Sequence, residues 1–438
     1  MKKSLLILPM VAILGLSGCK KVNGPSAKSV EFEDLEFTEL LTTSELKIFY
    51  YNLVEAFKGI SSISYETASD DNLKENVSAS SFASNETTYY SNNMISVKDS
   101  NESTYVASGG LQTKKTETSA ESWTYAKDLN VVRVAEDSDN GFQTSLVNEY
   151  EKEEDMKQYF SVQSLNLAYS KLTAIINAAS NGETSKFAKD GDDIVYFADT
   201  ISENYQYAPN RSELDVHSVT REQTVARFSD DAKLDSYKKI SETLSNKFSD
   251  TQKISDDMDA KKVVKDIIVI KYDERKEGQV PEKAANVSVI PAVSPLKVEG
   301  KWCGIHTETH PSTDFTSYGL DGFGISKWTS KNEGKLFFND HIDSSDCLLA
   351  KFDFQILTRK YNAETKKFEA AAYCDKVSVD LSEVFTAKGF ELKSCTDDAS
   401  IKYVEMKEDT NLYFIADFAV DANGVISISN ISLSFLTE

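Results

Sequence analysis

The residues able to do chemistry gather late in the chain. Besides Cys19, the cysteines are Cys303, Cys347, Cys374 and Cys395, and three of the four histidines, His306, His310 and His341, lie in the same region. Cys303-x-x-His306-x-x-x-His310 has the spacing of a metal half-site, and His341-x-x-x-x-x-Cys347 could complete a tetrahedral Cys/His set. Trp302 and Trp328 lie in or beside the stretch, where they could shield it. Two simpler fates compete with a metal. Outside the cytoplasm four cysteines form two disulfides in any of three pairings, and buried thiols can also stay unpaired. The compartment sets the order: disulfides lead, free buried thiols follow, and no metal or other cofactor is favoured.

None of this makes an enzyme. His306-Thr307-Glu308-Thr309-His310 has its glutamate in the middle, unlike the His-Glu-x-x-His zinc-protease helix, and Pro311 is a poor continuation of a helix. There is no Gly-rich phosphate loop and no Gly-x-Ser-x-Gly elbow. Asp421-Ala422-Asn423-Gly424 has part of a calcium loop but lacks its downstream glutamate, and a hairpin turn explains it. No catalytic residue is assigned, no ligand-binding residue is named, and a non-enzymatic protein is expected.

The other chemically informative cysteine is Cys19. Met1-Lys2-Lys3 is a basic start, Ser4 to Gly15 is a mostly apolar run, and Leu16-Ser17-Gly18-Cys19 closes it. The run is too short for a permanent membrane span and has the length of a signal-peptide core. This ending resembles the lipobox of bacterial lipoproteins. The resemblance implies a signal peptide over residues 1–18, removed on export, and a lipid attached to the Cys19 thiol. The acyl chains would then hold the protein to the bacterial cell envelope on its extracytoplasmic side. No other apolar run in the sequence approaches a membrane span, so the expected anchor is Cys19 alone.

Charge narrows the partners. Loss of Lys2 and Lys3 takes the formal charge from −22 to −24. So acidic a chain lacks the basic footprint needed for nucleic acid or for an anionic membrane surface. Its 40% hydrophobic and 11% aromatic content supports real cores, and its 438 residues allow two or three domains.

The elements around these residues read as follows. Residues 19–39 carry the lipid-attachment cysteine and a polar tether. Thr42-x-x-Glu45 has capping-box spacing, and Leu46, Phe49, Tyr50, Leu53 and Phe57 follow at helical intervals to Gly59. Such a stripe either lines a cavity or packs a helix onto a sheet. Period-two segments follow around 63–67, 88–97, 103–108, 112–118, 122–126, 131–135 and 143–149, with turns at Asp99-Ser100-Asn101 and Asp139-Asn140-Gly141. A helical region from Glu153 to Ala179, broken near 161–164, ends at Asn181-Gly182. Strands resume at 193–198, 223–228, 233–240 and 263–272, with a hairpin at Ser229–Ala232 and a surface helix or long loop between 240 and 263.

That order of helix, meander, helical insert and further strands resembles the LolA/LolB/LppX-like lipoprotein fold, over about 40–273. The resemblance implies a curved antiparallel half-barrel with helices on its concave side around an apolar cavity, and a family that carries acyl chains or lipidated cargo. Residues 274–300, with Pro281, Pro291 and Pro295, read as a linker or an edge-strand approach. Residues 301–438 read as a β-sandwich or barrel-like domain, with hairpins at 362–365 and 421–424 and a helical turn at 380–387. In the last strand the apolar phase slips by one residue between Ile428 and Ile431, which predicts a β-bulge near Ser429-Asn430. The fold class is thus α+β, mainly antiparallel β. The expected function is a membrane-anchored lipoprotein binding an apolar or amphiphilic ligand such as a lipid. The alternative is a surface interaction protein, binding a protein or glycan without a cavity.

Overall fold

The computed structural model describes residues 31–37, 39–73, 79–106, 113–139, 141–207, 214–245, 260–285, 289–303, 312–318, 323–330, 332–343, 347–421 and 425–437. Helix α1 (Thr43–Lys58) starts at the expected capping box: the Glu45 N–H donates to Thr42 Oγ1 (3.3 Å) and the Thr42 N–H to Glu45 Oε2 (2.8 Å). Gly59 caps its end, and Leu46, Phe49, Leu53 and Phe57 form its buried stripe. Strands β1 (Ser62–Leu73), β2 (Ala79–Tyr90), β3 (Met94–Val106), β4 (Thr113–Lys127), β5 (Asn130–Asp137) and β6 (Gly141–Glu149) follow as a meander.

Helices α2 (Glu153–Lys171) and α3 (Thr173–Ser180) come next. The break falls at Leu172 rather than near 161–164. Ser164 is fully buried mid-helix, where its hydroxyl donates to Phe57 O (3.0 Å), so it ties α2 to α1 instead of breaking it. Thr173 Oγ1 donates back to Tyr169 O (2.8 Å) at the true break. Strands β7 (Phe187–Asp190), β8 (Asp193–Tyr207), β9 (Leu214–Phe228), β10 (Leu234–Ser245) and β11 (Ala260–Lys271) return the chain to β1.

The strands are longer than their apolar alternation announces. The expected strand at 88–97 is a hairpin, with Ser91, Asn92 and Asn93 between β2 and β3, and the expected turn at 99–101 lies inside β3. The hairpin at 229–232 is where it was expected.

Strand order β6-β5-β4-β3-β2-β1-β11-β10-β9-β8-β7 makes one sheet whose two faces do different things. Ile63, Tyr90, Ile95, Val131, Phe187, Tyr196, Phe228 and Ile268 share one core with all three helices. A flat sheet of that many strands spans about 48 Å, far more than three short helices of about 10 Å diameter cover. An open antiparallel sheet of that many strands twists and curls rather than lying flat, and the face that carries the helices is here called concave.

The convex face is covered at both ends. Over β10 to β7 it carries residues 31–37 and 39, which the sequence assigns to the tether. Glu33 is hydrogen-bonded and ion-paired to Gln223 and Arg227, Phe37 stacks edge-on against Phe197 (5.7 Å), and Leu40 bridges Ala188. A free tether thus cannot extend past residue 30.

Over β3 to β6 the convex face packs against the rest of the chain. Residues 274–285 lie along it, with the Tyr125 hydroxyl donating to Ala284 O (2.7 Å) and the Gly278 N–H to Asn93 Oδ1 (2.7 Å). β12 (Val289–Cys303) takes in Pro291 and Pro295, with its pairing interrupted between Pro291 and Leu296. The proline stretch is thus docked chain and strand, not an open spacer. β13 (Ser312–Tyr318), β14 (Phe323–Ser330), β15 (Glu333–Ile342), β16 (Cys347–Leu349), β17 (Lys351–Asn362), β18 (Lys367–Phe368), β19 (Ala372–Tyr373), β20 (Val377–Asp380), α4 (Ser382–Ala387), β21 (Lys393–Ser394), β22 (Lys402–Glu405), β23 (Thr410–Val420) and β24 (Ile426–Thr437) complete the fold.

These strands form a sandwich. β24-β23-β15-β14 faces β13-β12-β17 with its short partners, and Phe352 of β17 meets Phe414 of β23 across the gap (6.3 Å). At Trp328↔Gly141, β14 pairs in parallel with β6, so one sheet runs through both halves. Trp123, Val132, Val134 and Phe142 share a core with Leu336, Phe354 and Phe418. The predicted bulge is present: Asn430 has φ +52° and the register of β23 with β24 slips between Ile415 and Asp417.

Candidate ligand trough on the concave face

Side chains on a strand alternate between faces. On β1, Ile63 and Tyr65 point to the helices, and Thr67, Ser69 and Asp71 continue the same face beyond them. Tyr65 marks the limit of the helix layer: Lys171, in the last turn of α2, lies 4.0 Å above its ring and 3.2 Å from Glu86. Past that point the concave face has no helix over it among the described residues.

This uncovered floor is built from polar rows in register. Thr67 faces Asp266 across the β1–β11 pair and donates to its carboxylate (2.5 Å). Lys239 faces Asp266 from β10 and pairs with Glu222 of β9 (3.0 Å). Thr220 and Thr243 share a hydrogen bond (2.9 Å). Two aromatic rings stand on the same floor: Phe82, opposite Ser69, and Tyr105, opposite Ser80, which are 38% and 51% exposed. Rings that open to water beside hydroxyls make a surface that can stack and hydrogen-bond at once.

The phenols along the helix boundary stay protonated. Burial, then the charge of Asp266 beside it, pushes the Tyr65 hydroxyl up to about 12. Burial with the same aspartate raises Tyr237. The hydrogen bond shared with Tyr50 (3.1 Å), with burial, pushes Tyr169 up to about 12. At neutral pH they are donors, and the nearby lysines at Lys171 and Lys239 already have carboxylate partners. The floor offers neutral hydrogen bonding more than a net charge.

Below the helices the picture changes. Phe49 packs on Phe187 (5.6 Å) and Phe228 (5.1 Å), and Leu53, Phe57, Phe160 and Phe228 are all at or below 1% exposure. The aromatic stripe of α1 packs a helix onto a sheet.

The residues singled out in the sequence are scattered by comparison. Cys19, His306 and His310 lie outside the described residues, as do the side chains of Cys303 and Cys347. Cys374 is a buried free thiol, 3.3 Å from Thr358 Oγ1, which sets it apart from any scheme that pairs all four cysteines; Cys395 is disulfide-bonded. Trp328 packs edge-on against Phe418 (4.9 Å) at the junction of the two halves. His341, at the end of β15, has Nδ1 at 3.2 Å from Asn411 Oδ1 and Nε2 at 3.4 Å from Asp343 Oδ1. With Asp409 these form an exposed His/Asp/Asp group. Sequence spacing missed the trough because its residues come from six strands and form no local motif.

No family model matches the chain, and no curated protein matches it. Among solved structures, one described as the crystal structure of lipopolysaccharide binding protein is 8% identical over 91% of this chain and 83% of that one, with a TM-score of 0.09. A likeness that weak carries no argument. No helix among the described residues is long and apolar enough to cross a membrane.

Proposed function

We propose that this chain is a lipid-anchored, extracytoplasmic bacterial lipoprotein without enzymatic activity, and that it binds a neutral, hydroxyl-rich ligand, an oligosaccharide by chemistry, in the trough. The signal-like start and Cys19 support the anchoring. The observation that carries the binding is the trough floor, where exposed Phe82 and Tyr105 stand among Ser, Thr and paired charges. Sugar C–H faces stack on rings while their hydroxyls replace water on the polar rows. The lipid-carrier reading has less support. An acyl chain would have to enter where Phe49, Leu53, Phe57 and Phe160 already fill the space between helices and sheet.

Two measurements test the two halves separately. Mass analysis of the N-terminal peptide from envelope fractions should find a diacylglyceryl group on Cys19, and Cys19→Ser should release the protein from membranes. Titration of the soluble chain from Lys20 with envelope oligosaccharides should saturate, and Phe82→Ala should weaken it. Binding of an extracted lipid with no response to any oligosaccharide would replace this reading with the carrier.

A further inference from the structure

The long sheet is finished differently at its two ends. At β7 the edge is closed: Leu40 bridges Ala188, the Leu41 N–H donates to Phe187 O, and Lys189 pairs with Glu39 and Glu45. At the other end β24 pairs only with β23 among the described residues. β24 runs for 12 residues, ISISNISLSFLT, without a charge or a proline. Every other strand of eight residues or more carries at least one charge. An unpaired row of backbone donors and acceptors lacking charge and proline is a template for another strand.

We propose that β24 pairs antiparallel with β24 of a second copy, forming a two-fold dimer in which the sheet continues from one copy into the other. The composition argues for this occupant over a foreign strand. A two-fold axis sets the strand against itself, so any charge near the axis meets its own like, which destabilises the pair. β24 avoids this penalty in a chain whose formal charge is −22. A foreign partner of so acidic a protein is recognised by opposite charge, and this edge presents none.

The bulge defines the segment. Asn430 turns out of register and its Nδ2 donates to Asp417 Oδ2 (2.8 Å), which leaves Ile431–Thr437 as the regular part. Pairing centred on Ser434 sets Leu433 of one copy against Phe435 of the other on the core-facing side. Leu436, 57% exposed in the single chain, gains cover on the outer side. A strand edge alone is small for a stable interface, so the dimer dissociates at about micromolar concentration.

Sedimentation velocity of the soluble chain from Lys20 over a concentration series tests this. The expected result is a monomer–dimer equilibrium. Ser434→Lys, at an exposed side chain, sets two ammonium groups across the axis and should give a monomer at every concentration with unchanged melting. Leu436→Lys serves as a second variant should the first fold poorly. Ser427→Lys lies before the bulge and should leave the dimer intact. A wild-type chain that stays monomeric to its solubility limit overturns the proposal. So does a dimer that survives both folded variants at Ser434 and Leu436, or an edge occupied by a different protein.

Discussion

Gln223 and Glu33 exchange two hydrogen bonds across 190 residues of sequence. The Glu33 N–H donates to Gln223 Oε1 (2.7 Å), and Gln223 Nε2 donates back to Glu33 O (2.9 Å). Gln223 is 1% exposed. A buried amide thus reads the backbone of the incoming strap as a neighbouring strand would. Gln223→Leu leaves both backbone groups of Glu33 without their partner, at a cost of about 1–3 kcal/mol. Chemical denaturation should register that loss, and amide exchange should rise at residues 32–37 before it rises in α1.

Acid should release the same strap. Burial pushes the Glu33 carboxyl up, but the hydrogen bond and charge of Arg227, with Lys238, outweigh it and hold it below its ordinary value of 4.5. A carboxyl lowered in the folded state contributes stability above its unfolded pKa and loses it as pH falls through the folded one. Exchange protection at residues 32–37 should therefore hold from neutrality down to about pH 4.5 and fall below it. In Arg227→Ala that acid dependence should be weaker, which exchange measured across the pH series will show.

The trough rings should matter for binding and little for folding. Phe82→Ala and Tyr105→Ala remove exposed side chains, so stability should stay within about 0.5 kcal/mol. Ligand affinity should drop about tenfold in each, the upper part of what one aromatic contact is worth. Calorimetric titration beside thermal melting checks both.

The helix–sheet interior should behave the opposite way. Phe57 is fully buried, and Phe57→Ala should cost about 3–5 kcal/mol by opening a cavity under α1. Oligosaccharide affinity of the folded fraction should be unchanged. If that variant gains affinity for an acyl chain, the cavity is large enough to admit one, which denaturation with and without a fatty acid will show.

How much of this was legible in the sequence depended on whether a segment buries one face. α1 was readable because the Thr42/Glu45 capping box and the Leu46–Phe57 stripe are local signals. The bulge was readable because the phase slip from Ile428 to Ile431 records which side of β24 meets the core. The outer halves of β1 to β4 and β8 to β11 were not, since apart from a small contact of Ala68 with Val263 they show little apolar burial among the described side chains and their Ser, Thr and Asn residues carry no period-two contrast. The strap was missed for a related reason: Glu31 to Glu39 looks like a solvated linker, and only Gln223, Arg227 and Phe197, far along the chain, turn it into docked structure. The Cys/His spacing was legible as a pattern, but His306, His310 and the side chains of Cys303 and Cys347 lie outside the described residues, among which His341 groups with Asp343 and Asp409.

The measurement that bears most directly on the trough is hydrogen–deuterium exchange of the soluble chain from Lys20, alone and with saturating envelope oligosaccharides. The account predicts new protection in residues 65–71, 80–86 and 262–266, with α1 and α2 unchanged. Protection confined to α1 and α2, appearing with an amphiphile and absent with every oligosaccharide, would contradict it.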